Sequence, residues 1–312
     1  RKSIMRLCNS ALLDRGYHTT TAAGDAVGLS SNQQDSSTTA TTCRTLTEPS
    51  LTTLIGIDDG IVQERYDQWC SFVDGGDGFL YGIPSNARRV VKYNPLDKSL
   101  TEIGPDLGNG GYKWACGVRA NNGKIYCAPY DAEHILKIDP IQGTVETLDD
   151  VELPETELPE TGNGYLWASG ALAQDNYIYY MPFDARRIMR LNPDNDSLSS
   201  VGDDLGYGLF KYSGTVVGND DCVYGIPYKA KRIVKFDPTN PDTTSTVGEE
   251  AEEGFYCGNC VLSGDGDIYA ANGAGQVLKV DTASNNYTWI VDEIYSGYVF
   301  GWGDPIIGAD KY

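Results

Sequence analysis

The phrase LYGIPSNARRVVKYNP, Leu80–Pro95, returns four times along the chain. The copies are IYCAPYDAEHILKIDP (Ile125–Pro140), IYYMPFDARRIMRLNP (Ile178–Pro193), VYGIPYKAKRIVKFDP (Val223–Pro238) and a weaker IYAANGAGQVLKVDT (Ile268–Thr282). An internal repeat constrains the fold more than any single motif. Each copy must form the same small unit, and no unit can bury its apolar face alone. The first tyrosines, Tyr81, Tyr126, Tyr179, Tyr224 and Tyr269, are spaced 45, 53, 45 and 45 residues apart. A second column keeps the same steps: Trp69, Trp114, Trp167, Tyr212, Cys257 and Trp302. The one long step contains VELPETELPET (Val151–Thr161), a tandem phrase inserted between units.

Each unit carries four short apolar runs. In the second unit they are Lys113–Val118, Lys124–Ala128, His134–Ile138 and Thr144–Leu148, parted by Asn121-Asn122-Gly123, Pro129-Tyr130-Asp131 and Asp139-Pro140. Gly, Asn, Asp and Pro at those places mark turns. The runs are rich in Tyr, Val, Ile and Trp and too short for helices, so they predict strands. Four strands in roughly 45 residues is the pattern of a β-propeller blade. The expected fold is therefore all-β, a single β-propeller of four-stranded blades. Lys92, Lys137, Arg190, Lys235 and Lys279 set a cation inside the third run of every unit. An unpaired buried charge is costly, so each is expected to meet a carboxylate or reach solvent along its stem.

Residues 1–49 stand apart from the propeller, 50–312. Arg1–Tyr17 has apolar residues at helical spacing, with Ser3 placed to cap and Gly16 to stop, and predicts a short amphipathic helix. The end of a processed leader is the alternative. Thr19–Thr47 is an irregular Ser/Thr-rich segment, a linker by composition or a source of a few strands. Ser50–Gly56 (SLTTLIG) matches the fourth strand at Ser99–Gly104 (SLTEIG), five full units follow, and Trp302–Ile307 matches a first strand. The two end pieces are expected to share a sixth blade that closes the ring.

Charge excludes some partners. With 24 Lys+Arg against 44 Asp+Glu, the net charge is −20, the wrong sign for a nucleic-acid surface. No run of about 18 apolar residues occurs, so no membrane-spanning helix is expected. The Trp69, Trp114, Trp167, Tyr212 and Trp302 column reads either as an aromatic ring that stacks a flat ligand or as packing between blades. Arg88-Arg89, Glu133-His134, Arg186-Arg187 and Lys231-Arg232 fall at one place in the repeat and project on one rim. They would bind an anionic glycan, or pair with the acidic loops at Asp58-Asp59, Asp106, Asp203-Asp204 and Glu249-Glu250. Asp74-Gly75-Gly76-Asp77-Gly78 and Gly264-Asp265-Gly266-Asp267 have the look of calcium loops but lack the EF-hand spacing, and they fall where a hairpin turn is needed. Cys257 and Cys260 lie on a predicted strand, about 10 Å apart and on opposite faces, which suits neither a disulfide nor zinc. No cofactor or resident metal is expected. With two histidines, no G-x-S-x-G and no phosphate loop, the common catalytic templates are absent. Two sequons, at Asn195 and Asn286, matter only if the chain is secreted.

The unit Y-G-I-P-x-x-A-x-R-[IV]-x-K-[FYI]-[DN]-P, followed by G-x-D-L-G-x-G and a Trp-bearing strand, resembles repeat proteins of diatoms and other algae, broadly similar to kelch and YVTN-type propellers. The resemblance covers Leu51–Tyr312 and is weakest at Ala271-Asn272-Gly273, which replaces the Ile-Pro turn. It implies a propeller and no particular activity. The expected role is a non-enzymatic structural or protein-binding module in a larger assembly. The alternatives are a carbohydrate-binding propeller and a lyase or lactonase acting on an anionic sugar. The compartment is open between extracellular, organelle lumen and cytoplasm.

Overall fold

The computed structural model describes residues 68–154, 164–272 and 275–290. The expected amino-terminal helix, the Ser/Thr-rich segment, the strand at Ser50–Gly56, the end of the first ELPET phrase with all of the second, and the strand at Trp302 lie outside the described residues. Within them there are twenty strands and no helix.

Every unit folds into one four-stranded antiparallel sheet with strands in chain order. The first holds β1 (Trp69–Asp74), β2 (Leu80–Pro84), β3 (Val90–Tyr93) and β4 (Leu100–Ile103). The second holds β5 (Val118–Arg119), β6 (Ile125–Cys127), β7 (Leu136–Asp139) and β8 (Thr144–Thr147). The third holds β9 (Trp167–Leu172), β10 (Ile178–Pro182), β11 (Ile188–Asn192) and β12 (Ser197–Val201). The fourth holds β13 (Tyr212–Val217), β14 (Val223–Pro227), β15 (Ile233–Phe236) and β16 (Ser245–Val247). The fifth holds β17 (Cys257–Leu262), β18 (Ile268–Asn272), β19 (Val277–Asp281) and β20 (Asn286–Trp289).

First strands of successive sheets lie side by side, β1 by β5 and so on to β13 by β17. Side chains stitch them together. The Cys70 thiol donates to the Trp114 carbonyl at 2.9 Å, Ser213 Oγ to the Cys257 carbonyl at 2.6 Å, and Ser169 shares a 2.6 Å bond with Thr215. Second strands are buried along their length in the first, third and fourth sheets, while fourth strands are largely open to solvent. Four core clusters are each shared by two consecutive sheets. Tyr81, Ile83 and Val90 pack with Ile125, Leu136 and Ile138. Tyr126 and Ile135 pack with Ile178, Tyr180 and Met189. This is why the strands are apolar on both faces: the second, third and fourth sheets are each a filling between two others. Complete burial of one such side chain is worth about 1.5–3 kcal/mol.

The second sheet departs from expectation. Its first strand was predicted over Lys113–Val118, but only Val118–Arg119 pair fully, with one isolated bridge between Trp114 and Pro129. The other four sheets show a milder register shift at the same point, just after Trp69, Trp167, Tyr212 and Cys257. Here the shift widens until Ala115–Gly117 leave the ladder. Gly117 lies so close to Ile83 that a Cβ would sit 2.9 Å from its Cδ1.

The third-strand cations find partners as expected. Lys92 meets Asp77 at 2.9 Å, Lys137 meets Asp196 at 2.5 Å, Lys235 meets Asp220 at 2.7 Å and Lys279 meets Asp267 at 2.6 Å. Arg190 lies 4.8 Å over the Tyr177 ring and bonds Ser199. The repeat tyrosines join in. Tyr81, Tyr179, Tyr224 and Tyr269 each donate to the aspartate four residues earlier, in the first hairpin.

Candidate binding rim

Strand one begins, and strand two ends, on the same side of each sheet. Two sets of residues therefore meet there. After the second strand come Ser85, Tyr130, Phe183 and Tyr228; before the first strand come Tyr112, Tyr165 and Phe210, with Tyr256 close by. Backbone bonds lock the sets together. Leu166 N donates to Tyr130 O at 2.7 Å, Lys211 N to Phe183 O at 2.8 Å and Tyr256 N to Tyr228 O at 2.6 Å. Each of these joins one sheet to the next. Tyr112, Phe210 and Tyr256 take positive φ to make the connection, a conformation that bulky residues rarely adopt.

The result is a continuous belt of rings. Tyr112 meets Tyr165 edge-on at 5.8 Å, and Tyr165 stacks on Tyr130 at 4.5 Å with planes 6° apart. Tyr130 meets Phe183 at 5.5 Å, and Phe183 meets Phe210 at 5.1 Å. Phe183 approaches Tyr228 at 6.4 Å, and Tyr228 meets Tyr256 edge-on at 5.5 Å. The ends are open: Tyr112 is 47% exposed and Tyr256 45%. Single exposed aromatics are ordinary; a linked series drawn from four sheets is not.

Charged groups sit under the belt. Asp184 is 0% exposed. Its Oδ1 accepts from Phe210 N at 2.8 Å, while its Oδ2 has no partner. Burial holds its pKa above the usual carboxylate value, against the pull of the Phe210 amide and Lys211. Lys211, 4% exposed, donates to the carbonyls of Gly208 at 2.6 Å and Asp184 at 3.3 Å. Lys113 holds the matching place one sheet earlier but one, reaching the carbonyls of Ala87 at 2.8 Å, Gly110 at 3.0 Å and Ser85 at 3.2 Å. Burial pushes both amines down to about 8.

The residues singled out in the sequence lie around this belt. Trp69, Trp114 and Trp167 are buried, and each indole N–H donates to a carbonyl twenty residues on, at Arg89, His134 and Arg187. Tyr212 is buried too, and Trp302 lies outside the described residues. The buried positions sit as packing between sheets rather than as an open stacking face. The cationic pairs do project on the rim side, and they meet the acidic loops. Arg88 pairs with Asp106, Arg186 with Asp204 and Tyr207, and Arg232 with Glu250 at 2.6 Å. Arg89 and Arg187 donate to the carbonyls of Gly104 and Gly202, and Lys231 to that of Glu252 at 2.6 Å. In the hairpins, Asp77 and Asp267 spend their carboxylates on lysines, and no metal-ligand cluster occurs among the described residues. Cys257 and Cys260 both lie within β17 and form no disulfide. The far side of the sheets holds a polar cavity of about 370 Å³ between the first hairpins, lined by Asn121, Gln174, Asn219 and Asp221 among others.

No family model matches the sequence, and neither does any curated protein. Solved structures do match in shape. A catalytically inactive virginiamycin B lyase from Staphylococcus aureus, bound to quinupristin, is 13% identical, with 76% of this chain and 74% of that chain covered at a TM-score of 0.58. A hydrazine synthase chain from Kuenenia stuttgartiensis is 11% identical, covering 78% and 72% at 0.54. A chain of a nidogen/laminin complex is 13% identical, covering 69% and 75% at 0.50. The fold is a β-propeller. At such identities the likeness extends to the architecture and no further. Among the described residues no helix of this propeller is long and apolar enough to cross a membrane.

Proposed function

We propose that the chain is a non-enzymatic, six-bladed propeller, of the fold its resemblance to algal repeat proteins implies, that binds a protein partner within a larger assembly. The observation that carries this reading is the aromatic belt from Tyr112 to Tyr256, whose exposed ends lie on one rim. Rings of this kind supply large contact area at low entropic cost and are enriched at protein interfaces. The nidogen/laminin neighbour is a propeller from a protein complex, an analogy of fold alone. Support for a sixth blade comes from the first sheet. Trp69, Phe72, Leu80, Ala87 and Val91 form a buried apolar cluster on its face away from the second sheet, as expected if another sheet packs there.

The test is capture of the native complex by wild-type chain and by a Tyr112→Ser/Tyr256→Ser variant. Both positions are exposed, so the fold should survive. The specific partner of the wild type, identified by mass spectrometry, should be lost or weakened at least about tenfold in the variant, in the range of hot-spot truncations. Undiminished capture of that partner by the variant overturns the reading.

A further inference from the structure

Asp184 and the rings beside it carry an inference about the chemistry of the partner, and it rests on the binding role proposed above. We propose that the rim receives an organic cation, the ammonium or guanidinium of a lysine or arginine in a basic segment of the partner protein.

Three observations converge. Aromatic faces carry negative potential and attract cations, and this rim already uses its rings so. The Lys229 ammonium lies 4.4 Å over Phe210, and the Arg186 guanidinium lies 4.2 Å over Tyr207. Second, the Asp184 carboxylate is wholly buried with Oδ2 unpartnered, and its charge acts on the hydroxyls of Tyr130 and Tyr165. Native chains leave few buried polar atoms unsatisfied, and such an atom calls for an explanation. The nearby cations do not supply one. Lys211 is committed to two main-chain carbonyls, and Lys229 sits on its ring. Asp131 repeats the position one sheet earlier, so a second carboxylate flanks the same Tyr165 ring. Third, the net charge of −20 gives the molecule a field that draws basic partners and repels acidic ones. At long range a polyanionic glycan would be repelled by that net charge. The incoming cation competes with Lys229 for the Phe210 face, and the buried charge of Asp184 beneath the rings draws it there without contact.

The experiment titrates the full chain with a Gly-Lys-Gly-Lys-Gly-Lys-Gly peptide, its Nε-acetylated form and a Glu-for-Lys form, by calorimetry and tyrosine fluorescence. Only the unmodified peptide should bind. Asp184→Asn and Tyr165→Leu should each weaken it about tenfold, which corresponds to ~1.4 kcal/mol. Lys229→Ala should strengthen it by removing the internal competitor. Tyr165→Leu keeps every charge, so undirected attraction to an acidic surface would leave its affinity unchanged, and that result overturns the proposal. Equal binding of the acetylated peptide, or none by the lysine peptide, also overturns it while leaving the rim itself to the Tyr112→Ser/Tyr256→Ser test. Circular dichroism melts of each variant show that the fold is kept. If Asp184→Asn or Tyr165→Leu melts early, Lys229→Ala, which alters an exposed side chain, decides: no gain in affinity sinks the idea.

Discussion

Asp184 is a residue held at a disadvantage by its own fold. Burial raises its carboxyl pKa, so the folded chain holds that proton more tightly than the unfolded chain does. The sign follows from linkage. Stability lent by the neutral form is present below the free carboxylate value of about 3.9 and is lost as pH rises through the folded value. Above that window the carboxylate is buried, charged and half-satisfied. Asp184→Asn should therefore be more stable than wild type at pH 7, by roughly 1 kcal/mol, since an unsatisfied buried acceptor costs about 1–3 kcal/mol. The gap should close as pH falls towards 4. Urea unfolding at pH 7 and pH 4 measures it; a variant less stable at both would show that the carboxylate is a structural asset. Lys113 runs the other way in pH. Its amine is pushed down to about 8, so its contribution grows as pH rises from there towards the free lysine value of about 10.4. A Lys113→Met variant should lose ground to wild type across that interval in the same unfolding assay.

At the scale of the element, a hairpin aspartate ties the first turn to the third strand in the first, fourth and fifth sheets. Asp220 takes both the Tyr224 hydroxyl at 2.8 Å and the Lys235 ammonium at 2.7 Å. In the fifth sheet the two jobs are divided: Asp265 takes Tyr269, and Asp267 takes Lys279. Asp220→Ala should cost about 1–2 kcal/mol in denaturant unfolding, because a half-buried lysine and a buried tyrosine lose their acceptor together. Asp265→Ala should cost less than half of that, its bond from Tyr269 being exposed and 3.2 Å long and no lysine depending on it. Equal losses would mean the pairing adds nothing beyond the turn. Part of this was legible in the sequence. A cation recurring inside an apolar run announced that it must be paired. Its partner was concealed, because Asp beside Gly reads first as turn chemistry, and only the hairpin's curvature brings Asp77 under Tyr81 and Lys92. The belt was harder still. Tyr130, Phe183 and Tyr228 stand inside the repeat phrase, but Ser85 breaks the column. Their companions Tyr112, Tyr165 and Phe210 fall across the boundary between units. The tryptophans drew attention instead, being larger and evenly paced, yet even pacing is what packing between identical sheets also demands.

The whole molecule carries twenty more negative than positive charges in 312 residues, and many of its ion pairs are exposed, such as Arg88 with Asp106 and Arg232 with Glu250. Self-repulsion opposes compaction, whereas single exposed pairs contribute about 0–1 kcal/mol each. Salt should then stabilise on balance. Screening shortens the reach of charge to about 10 Å at 0.1 M, which removes long-range repulsion and leaves the partly buried Lys137–Asp196 pair, at 2.5 Å, largely intact. The melting temperature should rise by a few degrees between roughly 10 and 150 mM sodium chloride, on the scale by which ~1 kcal/mol shifts Tm by about 2–4 °C. A fall would mean that the surface pairs matter more than the net charge.

The backbone bonds of the rim have a consequence for how such a molecule changes over time. Leu166 is held by Tyr130 and Lys211 by Phe183, so the loop of one blade sets the posture of the ring that opens the following blade. The stretch that is copied and the belt of rings are out of phase by part of a unit. Duplicating or exchanging a 45-residue cassette cuts through the belt instead of transplanting it. Each junction so made sets a loop against a ring from a different unit, so the contacts of the belt are remade wherever a cassette is inserted.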